Sequence, residues 1–272
     1  MTLTNLQQRA VTAFVVGPIV LLLVAFGGWW FLALTIGLAL IAALEFANLG
    51  RHRNIHVSPL LSVASVIAVI TAVSQNGGEL ILPLFVLTFV VTYLWAFVRR
   101  MKPRARWIEA LMTVAAAAYI GLPAGLLVII RNAPDGLIWL LLVLVLTWAT
   151  DVFAYFGGRF WGKTKLAPRI SPKKTVEGAL AGYAGGVGIG ALLLGFTGQL
   201  EIGPLAVLLI GPFAAILGDL VESALKRVFN VKDSHLSHLN LFPGHGGVLD
   251  RIDSLILVAW FCYICFRLLG IV

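Results

Sequence analysis

The C-terminal half of the chain contains two stretches in which acidic residues recur at helical spacing. The first reads GDLVESALKR and places Asp219, Glu222 and Lys226 three and four residues apart, so that they share one face of a helix. Because carboxylates in or beside hydrocarbon are costly, they usually face a watery cavity and a partner. We expect a functional role for Asp219, whereas Glu222 is either a second functional acid or a structural counter-ion to Lys226.

The second stretch, PGHGGVLDRIDS, leads through glycines into a helix whose first turn carries Asp250 and Asp253. Their spacing of three also places both carboxylates on one helical face. A favourable interaction of acids with the helix dipole is the competing explanation. Capping alone does not account for the other polar and flexible residues of this stretch, which are Gly244, His245, Gly246, Gly247 and Arg251.

The two stretches together predict a site for a divalent cation. Asp219 from one helix and Asp250 and Asp253 from the next can converge if the two helices are antiparallel. Mg²⁺ is a hard cation that is commonly held by a few carboxylates together with substrate phosphates. Glycine amides beside such a site can approach a phosphate without steric hindrance. The expected substrate therefore contains phosphate.

A second polar loop supplies the opposite charge. Its cations are Arg159, Lys163, Lys165, Arg169, Lys173 and Lys174. They can bind a nucleotide triphosphate or an anionic lipid, while interfacial solvation is the alternative for any one of them. Lys173 and Lys174 are the stronger candidates, because Pro172 fixes the backbone just before a predicted helix start. Polar groups at membrane depth flank the loop at Asp151, Tyr155 and Glu177.

The elements that position these residues are predicted to be membrane-spanning helices. The chain has 272 residues, of which 60% are hydrophobic and 12% charged, and its mean hydropathy is +0.98. A spanning helix needs roughly 20 apolar residues, which leaves no room for a separate soluble domain. Breaks at charges and at Gly/Pro/Asn clusters define nine expected spans: 11–28, 30–48, 57–75, 80–98, 107–130, 136–156, 176–198, 203–225 and 250–270.

The distribution of basic residues predicts the orientation of these spans. The net charge is +8, but the cations lie in short gaps between apolar runs, which argues against nucleic-acid binding. On one side lie Arg9, Arg51, Arg53 and the cations of 99–106, 159–174 and 226–251. Only Arg131 and Arg267 fall on the other side, so the N-terminus is expected in the cytoplasm and the C-terminus outside. Residues 1–135 are then a scaffold, and 136–272 a catalytic region with cytoplasmic loops 157–175 and 226–249.

The remaining features are interpreted as structural. Glu45 and Glu109 lie near the cytoplasmic ends of their spans, where we expect solvent-facing or headgroup-level positions. Trp29 and Trp30 are expected as interfacial anchors, and Cys262 and Cys265 as inert packing residues. Glycines four residues apart line one face of the seventh span at Gly178, Gly182, Gly186 and Gly190. They favour close helix packing within one subunit, with a dimer contact or a pore lining as the alternatives.

The acidic stretches resemble a known family. GDLVESALKR, the following Lys232-Asp233 and PGHGGVLDRID are similar to the signature of the phosphatidate cytidylyltransferases, also called CDP-diacylglycerol synthases. The segment DVFAYFGGRFWGKTKLAPRISPKKTVEG resembles their second shared block. The likeness is strong over roughly 140–270, and the first half agrees mainly in hydropathy.

This resemblance implies an all-α polytopic membrane enzyme that converts CTP and phosphatidate into CDP-diacylglycerol and pyrophosphate with Mg²⁺ or another divalent cation. It implies a multi-pass protein of a bacterial-type cytoplasmic membrane, with the active site towards the cytoplasm and a homodimer as one possible assembly. The implied catalytic residues are Asp219, Lys226, Asp250 and Asp253, with the three aspartates as metal ligands. The implied substrate-binding residues are Lys173, Lys174, Ser223, Arg227, Lys232, Asp233, His245, Gly246, Gly247 and Arg251.

One connection departs from the family pattern. Between Asp233 and Pro243 the chain reads SHLSHLNLF, about four residues longer than the usual link, and a short loop extension of this kind costs little closure entropy. His235 and His238 are either metal ligands or, as we favour, part of an incidental duplication. The rival functions are a transferase acting on another anionic lipid, such as an isoprenoid phosphate, and an ion-coupled transporter. The transporter is disfavoured because the acids cluster at helix ends rather than in mid-span.

Overall fold

The computed structural model describes residues 17–76, 79–231 and 247–272 and shows helices joined by short connections. One two-stranded hairpin interrupts them. The helices are α1 Gly17–Phe26, α2 Gly28–Arg51, α3 Pro59–Asn76, α4 Ile81–Val98, α5 Pro103–Ala116, α6 Leu122–Asn132, α7 Gly136–Trp161, α8 Val176–Thr197, α9 Ile202–Val228 and α10 Leu249–Leu268. A π-helical turn, Ala117–Gly121, joins α5 to α6.

The all-α membrane class predicted from hydropathy is confirmed. Within the described part of the chain, six helical segments are long and apolar enough to cross a bilayer. They are Gly28–Arg51, Ile81–Val98, Pro103–Asn132, Gly136–Trp161, Val176–Thr197 and Ile202–Val228. The other three predicted ranges, 11–28, 57–75 and 250–270, overlap α1, α3 and α10, which are helical but lie outside that set.

The chain divides into two compact units. The first comprises Met1–Ile129 together with Phe229–Arg251, and the second comprises Ile130–Val228 together with Ile252–Val272. The mid-chain boundary between the units falls between Ile129 and Ile130, and the functional division predicted at residue 135 stays a prediction. The segment Phe229–Arg251, however, groups with the N-terminal helices and not with α9 or the rest of α10.

In the first unit, α2, α3 and the π-turn pack closely, and two acids are buried among them. Glu45 on α2 is 4% exposed and Glu109 on α5 is 0% exposed. The expectation that both face solvent or headgroups is therefore wrong. Glu109 is buried because it has basic partners: its Oε1 lies 3.1 Å from His56 Nδ1 and 3.9 Å from an Arg99 nitrogen. Glu45 accepts backbone hydrogen bonds from the start of α10.

In the second unit, α7 and α8 are held together by the predicted glycine face. Gly178, Gly182, Gly186 and Gly190 are all buried. A Cβ at Gly178 would lie 2.8 Å from the carbonyl oxygen of Ala154, and one at Gly182 2.7 Å from that of Thr150. Since both neighbours are backbone atoms of α7, only glycine permits this approach. Packing within one subunit is confirmed as the role of these glycines.

The loop between α7 and α8 forms a β-hairpin rather than an irregular connection. Strands β1 Lys165–Ala167 and β2 Ser171–Thr175 pair antiparallel. Thr175 then caps α8 by accepting a hydrogen bond from the Gly178 amide at 3.1 Å. The Glu177 carboxylate accepts hydrogen bonds from the amides of Lys163 and Thr164 at 3.0–3.1 Å, which turns the chain back towards the helix.

Candidate active site

A cleft of about 450 Å³ opens in the second unit, between α7, the hairpin, α8 and α9. Charged residues of both signs line it: Asp151, Arg159, Lys173, Lys174 and Asp219. Neutral lining residues include Thr150, Ala154, Tyr155, Leu166, Ala179 and Ile216. The cleft therefore offers cations and carboxylates against a largely apolar wall, a combination suited to a phosphorylated ligand that also has a hydrophobic part.

The hairpin and α9 meet through an ion pair in this cleft. Lys174 Nζ lies 2.5 Å from Asp219 Oδ2, with the two side chains 23% and 35% exposed. Lys173, its neighbour in β2, is exposed and also lines the cleft. Three residues predicted as functional are thus brought together in one place.

Asp253 on α10 lies within electrostatic reach of Asp219 and of Asp151. The cause is a close crossing of α9 and α10 at Gly218, where a Cβ would lie 2.9 Å from both the Asp253 carbonyl oxygen and Ser254 Cα. The hydroxyl of Ser254 donates to Asp151 Oδ1 at 3.4 Å. Of the three aspartates predicted to converge, Asp219 and Asp253 therefore lie near one another where α9 and α10 cross.

The donor set fits a divalent cation in its chemistry. Asp151, Asp219 and Asp253 offer only carboxylate oxygens, which are the ligands that Mg²⁺ prefers. Among the described residues, no group of three or more His, Cys, Asp or Glu side chains is placed so that protein ligands alone could hold a metal ion. Mg²⁺ usually takes one or two carboxylates together with substrate phosphates, so an open carboxylate pair beside cations agrees with that mode of binding. The metal ligands themselves stay a prediction.

Two predicted cations on α9 have protein partners. Lys226 Nζ lies 2.5 Å from Glu222 Oε2, and the Glu222 side chain is only 1% exposed. The interpretation of Glu222 as a counter-ion to Lys226 is therefore confirmed. Lys226 also interacts electrostatically with Asp253. The Nε of Arg227 donates to the carbonyl oxygen of Ile170 at 3.0 Å, which attaches the hairpin turn to the end of α9.

Asp250 belongs to the first unit and has a local role at the start of α10. Its Oδ2 accepts a hydrogen bond from the Gly247 amide at 3.1 Å, as the capping interpretation expects. The substrate contact predicted for Gly247 and the catalytic and metal-ligand roles predicted for Asp250 stay predictions. Of the other predicted residues, Ser223 is half-buried on α9 and Arg251 is exposed on α10. Outside the described residues lie Lys232, Asp233, His235, His238, His245 and Gly246.

Sequence reasoning did not assign Asp151 to the site. The signal was present, because an ionisable residue at membrane depth is expensive and usually functional. From the sequence alone, Asp151 is only one of the polar residues that flank the basic loop. Its connection to Asp219 and Asp253 depends on how α7 packs against α9 and α10, which spacing along the chain does not reveal.

Comparison with known proteins finds sequence similarity along nearly the whole chain. The model of the cytidylyltransferase family matches residues 7–269. The chain is 35% identical over 266 residues to a protein of Brucella abortus named phosphatidate cytidylyltransferase, covering 96% of this chain and 93% of that protein. Proteins with the same name from Bacillus subtilis and Staphylococcus haemolyticus are 34% and 33% identical, covering 96% and 93% of this chain and 97% and 96% of the other.

Proposed function

The chain belongs to the cytidylyltransferase family, and on that premise we propose that it transfers CMP from CTP to phosphatidate, giving CDP-diacylglycerol and pyrophosphate. The observation that carries this proposal is the cleft of the second unit, where Lys173, Lys174 and Asp219 lie together against an apolar wall. The relatives named for this activity match 96% of this chain, and this chain covers 93% and 97% of their lengths.

The reaction exchanges one phosphoanhydride bond for another. A phosphate oxygen of phosphatidate attacks the α-phosphorus of CTP and forms the new P–O bond. The bond between the α-phosphorus and its bridging oxygen to the β-phosphate breaks, and pyrophosphate leaves with that electron pair. Because the attacking oxygen is already anionic, no protein nucleophile is required. The work of the protein is to position two anions and to neutralise their charge.

The cations of the cleft suit that task. The ammonium groups of Lys173 and Lys174 and the guanidinium of Arg159 line it, and each can reduce the repulsion between lipid phosphate and triphosphate. Arg159 donates to the Tyr155 hydroxyl at 3.2 Å, which orients its side chain along α7. Lys226, paired with Glu222, adds positive charge beside Asp253.

A divalent cation completes this proposal. Asp219 and Asp253 would hold it, with Asp250 as the third predicted ligand. A bound Mg²⁺ supplies charge stabilisation for the triphosphate and for the departing pyrophosphate. Lys174 forms an ion pair with the same Asp219 carboxylate. Asp219 would therefore contact both the bound cation and one of the lysines proposed to bind phosphate.

We place the protein in the cytoplasmic membrane of a bacterium, with nine spans, the N-terminus inside and the C-terminus outside. The supporting observation is the positive charge of the loops at 51–53, 99–106 and 159–174, since loops rich in Lys and Arg stay in the cytoplasm. The hairpin then faces the cytoplasm, where CTP is available, and phosphatidate enters from the inner leaflet. A homodimer is compatible with this arrangement.

The test is an assay of the purified full-length protein in detergent micelles with CTP, phosphatidate and Mg²⁺. We expect stoichiometric release of pyrophosphate and CDP-diacylglycerol. Turnover with an isoprenoid phosphate in place of phosphatidate would favour the rival transferase. Ion-driven uptake into vesicles without any CTP turnover would contradict the proposal and support a transporter.

A further inference from the structure

The start of α10, which carries Asp250, is held by a residue far away in sequence. The Glu45 side chain on α2 accepts the backbone N–H groups of Val248 at 2.9 Å and Leu249 at 2.8 Å. All three residues belong to the first unit. Glu45 is 4% exposed, Val248 3% and Leu249 0%, so these bonds are shielded from water.

The hydrogen bonds explain why a buried carboxylate is tolerated at position 45. The first N–H groups of an α-helix have no partner within the helix, and the helix dipole places partial positive charge there. Glu45 satisfies two of these groups with one charged acceptor. The Asp250 carboxylate accepts the preceding amide, that of Gly247, so three consecutive N–H groups are engaged by carboxylates.

The connection between α9 and α10 has a second contact at its beginning, with the segment that follows α2. A guanidinium nitrogen of Arg53 donates to Asn230 Oδ1 at 3.1 Å, just before the loop residues that the structure does not describe. Glu45 and Arg53 therefore bind on both sides of the stretch that carries Lys232, Asp233 and the glycines. The Arg53 contact is exposed and contributes little, whereas the Glu45 contact is buried and charge-assisted.

From these contacts we infer that Glu45 is a positioning residue for the reaction: it fixes the glycine-rich start of α10 and thereby the orientation of the Asp250 carboxylate. This inference rests on the proposed function. Glu45 itself touches only backbone, so its effect passes through Gly247, Val248 and Leu249. Groups that orient a ligand residue in this way typically change activity or metal affinity by about 10–100-fold when they are replaced.

The chain offers a matched control. Glu109 is a second fully buried carboxylate in the same unit, and its described partners are His56 and Arg99 rather than α10. Glu109→Gln therefore reports the cost of losing a buried negative charge in this unit without disturbing the start of α10. Glu45→Gln keeps the size of the side chain but loses the charge, and Glu45→Asp keeps the charge but shortens the reach.

The experiment compares these variants as full-length protein in detergent. For Glu45→Gln we expect kcat to fall by about 10–100-fold, the half-saturating Mg²⁺ concentration to rise, and KM for phosphatidate to stay unchanged. Amide hydrogen exchange in a peptide covering residues 247–251 should accelerate in Glu45→Gln and not in Glu109→Gln. Glu45→Asp should recover part of kcat, because a charged acceptor remains.

The exchange measurement needs no turnover, so it separates this inference from the proposed function. If the wild-type protein shows no transferase activity but Glu45→Gln still accelerates amide exchange, the proposed function is refuted while the contact of Glu45 with the start of α10 is supported. Equal effects of Glu45→Gln and Glu109→Gln on kcat, Mg²⁺ dependence and exchange would overturn the inference. Failure of both Glu45 variants to fold would also overturn it, because Glu45 would then be a structural residue only.

Discussion

Asp219, Asp253 and Asp151 of the second unit have different neighbours, and we expect different roles for them on that basis. Asp219 faces Lys174 directly, while Asp253 accepts a hydrogen bond from the Ser254 amide at 2.6 Å. Asp151 has the Ser254 hydroxyl as a neighbour. Three carboxylates within electrostatic reach of one another repel unless cations compensate. Lys174 supplies part of that compensation, and a divalent cation would supply the rest.

Replacing Asp219 or Asp253, two of the three predicted ligands, by the corresponding amide tests the need for this cation directly. Asp219→Asn and Asp253→Asn preserve volume and remove one negative charge each, so the protein should remain folded while kcat falls by at least about 100-fold, as expected when one electrostatic contact to a reacting phosphate is lost. Asp135→Asn, at the opposite end of α7, is the control and should be fully active. Turnover near the wild-type value in either variant removes that residue from the site. The assay is pyrophosphate release at saturating CTP.

Asp151 should have a weaker effect that depends on the cation. Because it lines the cleft and interacts with both other carboxylates, Asp151→Asn should raise the half-saturating Mg²⁺ concentration by about tenfold, which corresponds to roughly 1.4 kcal/mol. Saturating Mg²⁺ should restore most of kcat. Titration of activity against Mg²⁺ measures both quantities. An unchanged midpoint would place Asp151 outside the cation site.

At the scale of elements, the site depends on two close helix contacts, one between α7 and α8 and one between α9 and α10. Glycines on α8 permit α7 to lie against it, and Gly218 permits the crossing of α9 and α10. The β-hairpin then carries Lys173 and Lys174 across the opening, anchored by Arg227 and by the Glu177 carboxylate. At the glycines the size of the residue decides the contact, because a Cβ there would meet atoms of the neighbouring helix.

The crossing at Gly218 can be tested by adding a single methyl group. In Gly218→Ala the new Cβ would meet backbone atoms of Asp253 and Ser254 at 2.9–3.1 Å. Backbone cannot move as a side chain can, so we expect a loss of about 1–3 kcal/mol in stability and a larger loss of activity. Gly188→Ala on α8 is the matched control, since nothing lies within 4 Å of its Cβ position. Thermal midpoints and kcat measured together decide the question.

The elements were largely predictable from the sequence, whereas their contacts were not. Long apolar runs broken by charges located the helices. The spacing of Gly178 to Gly190 indicated a close helix contact but did not identify α7 as the partner. Asp219 and Lys226 stood out because charges are costly beside hydrocarbon. The burial of Glu45 and Glu109 escaped prediction because their partners, the amides of residues 248 and 249 and the side chain of His56, are distant in sequence. The hairpin escaped because its strands are only three and five residues long.

For the molecule as a whole, the described contacts of the second unit define two opposite ends. Near the start of α7, Asp135 Oδ2 accepts a hydrogen bond from Gln199 just after α8, at 3.4 Å. At the other ends of the same helices lies the hairpin with its cations. Because α7 and α8 are antiparallel neighbours, the hairpin and the Asp135–Gln199 contact lie at opposite ends of this helix pair. A probe that shows on which side of the bilayer one end lies therefore also shows to which side the cleft opens.

Cysteine labelling of intact cells supplies that probe. In a background with Cys262→Ala and Cys265→Ser, single cysteines would replace Gln75, at the end of α3, and Lys165, in β1. Both native residues are exposed, so differences in reactivity report the side of the membrane rather than burial. A membrane-impermeant maleimide should modify position 75 in intact cells and position 165 only after lysis, because the basic hairpin is retained in the cytoplasm by the positive-inside rule. The opposite pattern would place the hairpin and the cleft outside the cytoplasm. It would contradict the proposed orientation and the proposed access of cytoplasmic CTP to the cleft.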